Sequence, residues 1–342
     1  MVKLRDICLN ITVDKKGDPM RATLLGTVAF TVLASVPAFA DDNTTSPIVN
    51  LKLADASTTQ ASQNDTALLP AEDMGGGDSG SGGFIENWFA RSAQAKASQP
   101  GWMTPLATVT PRLEQEVRYD QYWERAGNGA SIETYGSGKG LELIPTTTNE
   151  ILINVPTYED RYFKKPAQGW GDWPFLVVKQ RLLSAPEDQG NYILTAFLGF
   201  QAPSGNAAFT NHSWVITPTI AGGMGWGDFD IQTTTGVAIP LRDQNVIGYA
   251  IATNVALQYH FSKVFWPELE FNNTYWSGGQ RDGKDQLFLT PGLILGRFDL
   301  FPGARFIVGA GYQFAVSPTK STVPVLTPTY DHSWILTARV AF

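Results

Sequence analysis

From about residue 112 to the end, apolar and polar side chains alternate one for one in segments about ten residues long. Few folds accommodate that pattern. In the last segment Trp334, Leu336, Ala338, Val340 and Phe342 share one face. Ser333, Thr337 and Arg339 share the other, with Ile335 and Ala341 as apolar exceptions. Phe306, Val308, Ala310, Tyr312 and Phe314 likewise oppose Arg305, Gly309, Gly311 and Gln313. Leu269, Phe271 and Tyr275 oppose Glu268, Glu270, Asn272 and Thr274, and Val255, Leu257, Tyr259 and Phe261 oppose Asn254, Gln258 and His260. Period two means strands with one face apolar. A soluble sandwich alternates too, but two features separate the cases. The segments have the length that crosses a bilayer at a tilt, and the connections between them alternate in length. Short turns fall near 145–148, 184–190, 223–228, 261–265 and 297–303. Longer or more polar connections fall near 124–138, 157–172, 202–212, 240–247, 277–285 and 317–330. About twelve strands result, starting near 112, 139, 149, 173, 191, 213, 229, 248, 266, 286, 304 and 331; an even number brings both ends of the sheet to one side. Pro174, Pro218, Pro267 and Pro291 fall in or beside these segments and blur individual boundaries. The expected fold is all-β: a transmembrane antiparallel β-barrel over residues 112–342.

Composition agrees. Hydrophobic residues make up 43% of the 342, yet mean hydropathy is only −0.11, which excludes a bundle of membrane-spanning helices. Aromatics reach 12%, and 33 glycines suit many turns. A net charge of −7 argues against a nucleic-acid partner. With Cys8 as the sole cysteine and three histidines, no disulfide, zinc site or other cofactor is expected.

Ahead of the barrel, Met20-Arg21, an apolar run from Ala22 to Val36, and Ala38-Phe39-Ala40 before Asp41-Asp42 have the form of an export signal cleaved after Ala40. The run is short for a membrane span, which needs about twenty apolar residues. Residues 1–19 are too polar for an ordinary signal, which leaves Met20 as an alternative start. Residues 41–83, ending in a Gly/Ser tract, cannot bury enough apolar surface to order and are expected to be a flexible leader. Residues 84–111 are expected to hold a short helix and a linker. Phe84, Ile85, Trp88 and Phe89 share one side of that helix, which either plugs the lumen or lies on the membrane surface.

The chain ends Ser333-Trp334-Ile335-Leu336-Thr337-Ala338-Arg339-Val340-Ala341-Phe342, and a terminal Phe after alternating apolar residues resembles the signal read by the barrel-assembly machinery. Phe342, Val340 and Ala338 would carry it. Further stretches are Thr110-Pro111-Arg112-Leu113-Glu114-Gln115-Glu116, Asn149-Glu150-Ile151, Gly171-Asp172, Gly296-Arg297-Phe298, Gly309-Ala310-Gly311-Tyr312-Gln313 and Pro328-Thr329-Tyr330-Asp331-His332-Ser333-Trp334. Through these, residues 105–342 resemble the outer-membrane family named for the meta-pathway of phenol degradation. The resemblance implies a barrel in the bacterial outer membrane and, by association alone, transport. It brings no catalytic residues with it.

Strand parity points Glu114, Glu116, Arg118, Glu142, Glu150, Asn154, Lys179, Arg181, Glu268, Glu270 and Arg339 into the lumen, because ionised groups facing lipid are costly. They would either line a conducting pore or form a packed ion-pair network filling a narrow barrel. Arg339 is expected to meet Glu114 or Glu116, since closure pairs the last strand with the first. His212-Ser213 and Asp331-His332-Ser333 have the residue types of a hydrolytic relay, but strand neighbours point to opposite faces, so only a cross-strand meeting would serve. Glu268/Glu270 resemble a glycosidase pair and fit a lumen network better. Gly136-Ser137-Gly138-Lys139-Gly140 lacks the full phosphate-loop pattern and reads as a turn. Trp170, Trp173, Trp214, Trp226, Trp266 and Trp276 read as interfacial anchors. The expected function is passive passage of small solutes, hydrophobic or aromatic by the family association, with outer-membrane lipids as surroundings. The alternatives are a lipid-acting outer-membrane enzyme and a closed structural or adhesive barrel.

Overall fold

The computed structural model describes residues 83–320, 327 and 329–342. The expected export signal and nearly all of the expected leader lie outside them. Phe84–Ala97 is a helix, α1. The strands that follow are β1 (Glu116–Arg125), β2 (Ser131–Tyr135), β3 (Gly140–Leu143), β4 (Asn149–Asn154), β5 (Tyr158–Tyr162), β6 (Ala167–Trp170), β7 (Trp173–Ala185) and β8 (Tyr192–Ala202). Next come β9 (Val215–Trp226), β10 (Phe229–Pro240), β11 (Tyr249–Tyr259), β12 (Phe265–Ser277), β13 (Asp285–Phe301), β14 (Ala304–Ser317) and β15 (His332–Ala341).

All lie in one antiparallel sheet, and it closes: β15 pairs with β1 from Glu116↔Ala341 to Arg125↔His332. Three wall strands are each interrupted once. β1 pairs with both β2 and β3, which are thus halves of one strand parted by a turn with Gly136, Ser137 and Gly138 at positive φ. In the same way β4 runs on into β5 and β6 into β7, with main-chain bonds from Val155 to Lys139 (3.2 Å) and Gly171 to Thr157 (2.8 Å) spanning the gaps. Counting each interrupted pair once leaves the twelve-stranded barrel that the alternation predicted.

Several boundaries differ from expectation. β1 opens at Glu116 rather than 112. The connections expected at 124–138 and 157–172 hold β2, β5 and β6, short strands whose Gly and Pro interruptions hide their continuity. At the end of the barrel that carries the start of β1 and the end of β15, called here the terminal end, two-residue turns at 227–228 and 302–303 join neighbours. Gly227 (φ 59°) and Gly303 (φ 89°) supply the left-handed residue such tight turns need.

The two faces of the wall differ as parity requires. In β15 Trp334 and Leu336 are exposed on the outside, while Ser333, Ile335, Thr337 and Arg339 are buried inside. The outside carries two aromatic belts. Tyr192, Trp226, Phe229, Tyr259, Phe265 and Phe298 ring the terminal end; Trp123, Trp173, Trp214, Tyr275 and Trp334 ring the opposite, loop end. An apolar band between aromatic girdles on a closed sheet is the exterior that a bilayer demands, since lipid satisfies no backbone polar group.

Candidate functional site

The lumen holds the chain's own residues 98–115. Pro100, Pro105 and Pro111 keep this stretch extended and strip it of three donors. It is buried along almost its whole length, including Trp102, Met103, Thr104, Leu106, Thr108, Val109, Arg112, Leu113 and Gln115. A buried, non-sheet backbone must still find hydrogen-bond partners, and the polar wall supplies them.

Glu268 Oε1 accepts from Leu106 N (3.0 Å), and the two oxygens of Glu270 accept from Ala107 N (2.8 Å) and Thr108 N. On the carbonyl side, Arg339 donates to Thr104 O and Pro105 O, and Arg118 Nη2 donates to Leu106 O (2.7 Å). Further along, Glu150 accepts from Glu114 N (2.7 Å) and pairs with Lys179 (3.0 Å), whose ammonium also reaches Arg112 O (3.3 Å). Arg181 donates to Ala95 O (2.8 Å) and Thr147 O (2.7 Å), placing a cation at the C-terminal turn of α1, where the helix dipole favours it. Carboxylates thus serve the N–H groups and cations the carbonyls.

Apolar fit completes the seat. Gly292, Gly309 and Gly311 line a socket for Leu106: an added Cβ would lie 2.4, 2.8 and 2.7 Å from its methyl carbons. Gly223 and Gly225 make similar room for the Trp102 indole. Ala107 packs with Tyr122 and with Ile335, the apolar exception on the inner face of β15.

All eleven residues singled out by parity are buried, but they do different things. Glu114, Glu150, Lys179, Glu268, Glu270, Arg118 and Arg339 bond to or belong to the lumen segment, and Arg181 secures its entry. Asn154 ties wall to wall through Pro174 O (2.9 Å). Glu116 and Glu142 are cross-strand partners, and among the described residues Glu116 Oε1 has no hydrogen-bond partner. Glu114 or Glu116 is the expected partner of Arg339, which bonds instead to the main-chain oxygens of Thr104 and Pro105 and to Thr337 Oγ1 (3.1 Å). Glu114 is taken by Arg112 (2.7 Å), and the lumen segment stands where a wall-to-wall pair would form.

Contributors that escaped the sequence reading include Arg112, Asp120, Gln232, Arg297, Ser184 and Thr195, the last two donating to Ser98 O and Pro111 O (2.6 Å each). Asp120 pairs with Arg118 at 2.8 Å, and Gln232 Nε2 holds Met103 O (2.9 Å). Parity extended along β1 and β10 would have found both. Arg112 has the parity of Glu114 and Glu116 but lies ahead of β1 in the lumen segment, and Arg297 sits on a bulge that breaks the alternation. Two expected interfacial anchors point inward instead. Trp266 packs with Met103 and Leu106 and stacks on His260 (3.9 Å), and Trp276 packs with Val215, Ala238 and Ala250. Trp170, Trp173, Trp214 and Trp226 are exposed on the outside.

α1 lies across the terminal end. Lys96 Nζ donates to the Phe342 main-chain oxygen (2.8 Å), Trp88 Nε1 to Gln115 Oε1 (2.8 Å), and the rings of Phe89 and Phe342 meet edge to face (6.4 Å). Burial pulls the Lys96 ammonium below the ordinary lysine range, with the Glu114 carboxylate opposing that shift. Ser213 Oγ donates to Trp214 O and accepts from Arg242 N, and Ser333 Oγ donates to Trp334 O.

No family model matches the chain, and no curated protein does. Among solved structures it is similar to the NanC porin, at 10% identity and a TM-score of 0.41, covering 67% of this chain and 98% of that one. It is similar to the COG4313 outer membrane channel from Pseudomonas putida F1, at 12% identity and a TM-score of 0.42, covering 66% and 92%. It is also similar to an anion-selective porin from Comamonas acidovorans, at 8% identity and a TM-score of 0.32, covering 67% and 97%. The closed sheet, the apolar belted exterior and the polar interior are the chain's own, and they make it a twelve-stranded β-barrel with the exterior that a lipid bilayer demands.

Proposed function

We propose that the barrel is a channel for passive passage of small solutes and that residues 98–115 are its gate. The observation that carries this is the charge of the inner wall. A barrel meant to stay filled gains little from buried ions, because desolvation offsets their attraction and apolar packing of equal volume is often as stable or better. Here the wall instead presents Arg118, Lys179, Arg339, Glu150, Glu268 and Glu270 to a segment that they hold by its backbone, with Arg181 at its entry. With the segment displaced, that wall is a hydrated pore lined by both signs of charge. The resemblance to the phenol meta-pathway family supports hydrophobic or aromatic solutes, and the terminal Phe342 with Val340 and Ala338 supports recognition by the barrel-assembly machinery.

The density of bonds to the segment favours one other reading, a permanently closed structural barrel. Conductance in planar bilayers separates the two. The intact protein should show rare or small openings, and a variant lacking residues 98–113 should show a large steady conductance. A folded barrel, verified by heat-modifiable gel mobility, that conducts in neither form would establish the closed reading.

A further inference from the structure

A cavity of about 700 Å³ lies at the terminal end, between the lumen segment and the wall formed by β13, β14 and the end of β15. That volume is ordinary for a small-molecule site. Met103 from the segment and Ile307 and Phe301 from the wall give it apolar surface. Its charged groups can be sorted by partner. Arg112 is paired with Glu114 (2.7 Å), Arg305 with Asp299 in the open (3.4 Å), and Lys96 with the Phe342 oxygen (2.8 Å). Arg297 and Glu116 remain.

Arg297 is placed by a device. Gly296 pairs with Ile307 and Phe298 with Phe306, so Arg297 is an extra residue in β13, a bulge. Its φ of 63° lies in the left-handed region, which a residue with a long side chain occupies at a cost. The bulge turns into the barrel a side chain that strict alternation would aim at lipid. There its Nη2 donates to Gly101 O (2.6 Å) and Trp102 O (2.8 Å), and its guanidinium lies 5.5 Å from the Trp266 ring centroid, neutral groups that orient it without supplying a carboxylate partner. Glu116 lines the same cavity, is 1% exposed, and keeps Oε1 without a hydrogen-bond partner among the described residues. Buried side-chain acceptors are rarely left so. One cation with no salt-bridge partner among the described residues and one unused acceptor therefore share an apolar-walled cavity.

We propose that this cavity binds a small organic acid with an apolar body, its carboxylate on Arg297 and a hydrogen-bond donor at its far end on Glu116. The site rests on the channel reading for its purpose, a solute station at the inner mouth, and it deepens that reading by naming the solute class. Because Met103, Thr104 and Arg112 of the gate form one side of it, occupancy also bears on the gate.

The test is calorimetric titration of the full chain in detergent with 4-hydroxybenzoate, its methyl ester and benzoate. The acid should bind at least about tenfold more tightly than the ester, the usual cost of losing a charged partner. Arg297→Asn, which keeps a residue tolerant of left-handed backbone, should abolish that preference. Benzoate, lacking the donor, should bind more weakly than 4-hydroxybenzoate in the native protein and equally in Glu116→Leu. Equal binding of acid and ester by the native protein, or no saturable binding at all, overturns the site without recourse to any variant. An unchanged preference in folded Arg297→Asn overturns it too. Conductance read in parallel keeps the two ideas apart: saturable acid binding by a barrel that never conducts sinks the channel and leaves the site, and conduction without acid binding does the reverse.

Discussion

Glu270 accepts from two successive main-chain N–H groups and Arg339 donates to two successive carbonyls. Each of these residues therefore governs a stretch of gate rather than a single contact. Charge-assisted hydrogen bonds of this kind contribute about 1.5–3 kcal/mol each, and leaving the buried partner unmet adds a further penalty. Glu270→Ala should accordingly loosen residues 106–108. With Cys8 replaced by Ser, a cysteine at Ala107 should react with a water-soluble maleimide at least about tenfold faster in that background; an unchanged rate would mean that the segment is held elsewhere. Gly311→Val tests the apolar side of the seat. Its side chain would collide with Leu106, so thermal stability should fall by about 1–3 kcal/mol, and Leu106→Ala should recover much of the loss. At this scale alternation told which way Arg339 points but not what it meets. Parity is a property of the strand that bears the residue. The partner comes from a stretch with no period of its own, in which Pro100, Pro105 and Pro111 were visible but could only suggest a linker.

Among the elements, long uninterrupted strands were the legible ones. β10 to β15 start within a residue or two of the positions that alternation assigned, because a lipid-facing strand needs the full apolar face and shows it. β2, β5 and β6 were read as loops: each has four or five residues, too few to establish a period, and a turn or a Pro or Gly breaks each from its continuation. The helix α1 was legible from its aromatic side, Phe84, Ile85, Trp88 and Phe89. Its seat was not, since the polar contacts that hold it come from Gln115, Arg181 and Phe342, distant in sequence. The proposed gate is an element too, and a cross-link tests whether it moves. With Cys8 replaced by Ser, cysteines at Leu106 and Gly311 joined by a short cleavable bis-thiosulfonate reagent should hold residues 98–115 in place. Conductance should fall below that of the uncross-linked protein and return on reduction. Equal conductance before and after cross-linking would show that solutes pass without the segment leaving.

For the whole molecule, the decisive property is the contrast between the two faces of one closed sheet, and β15 expresses it within a few residues. Leu336 lies outside and Arg339 inside, three positions apart on a strand of ten. Leu336→Arg would put a guanidinium against hydrocarbon near mid-membrane, at about 2–4 kcal/mol. That penalty falls on insertion itself, so the variant should accumulate as unfolded protein in the heat-modifiability assay. Arg339→Ala removes a charge from the interior and strands two gate carbonyls, with no lipid-facing consequence. It should insert normally and instead open more often, seen as a higher open probability in planar bilayers. Cysteines at the two positions, again with Cys8 replaced, give an orthogonal readout. In the variant lacking residues 98–113, a cysteine at 339 should react with a membrane-impermeant thiol reagent through the lumen, while one at 336 stays protected by lipid. In the intact protein the gate should shield position 339 as well. Reactivity at 336 with protection at 339 in the gateless form would invert the wall and remove the physical basis for every lumen contact described above.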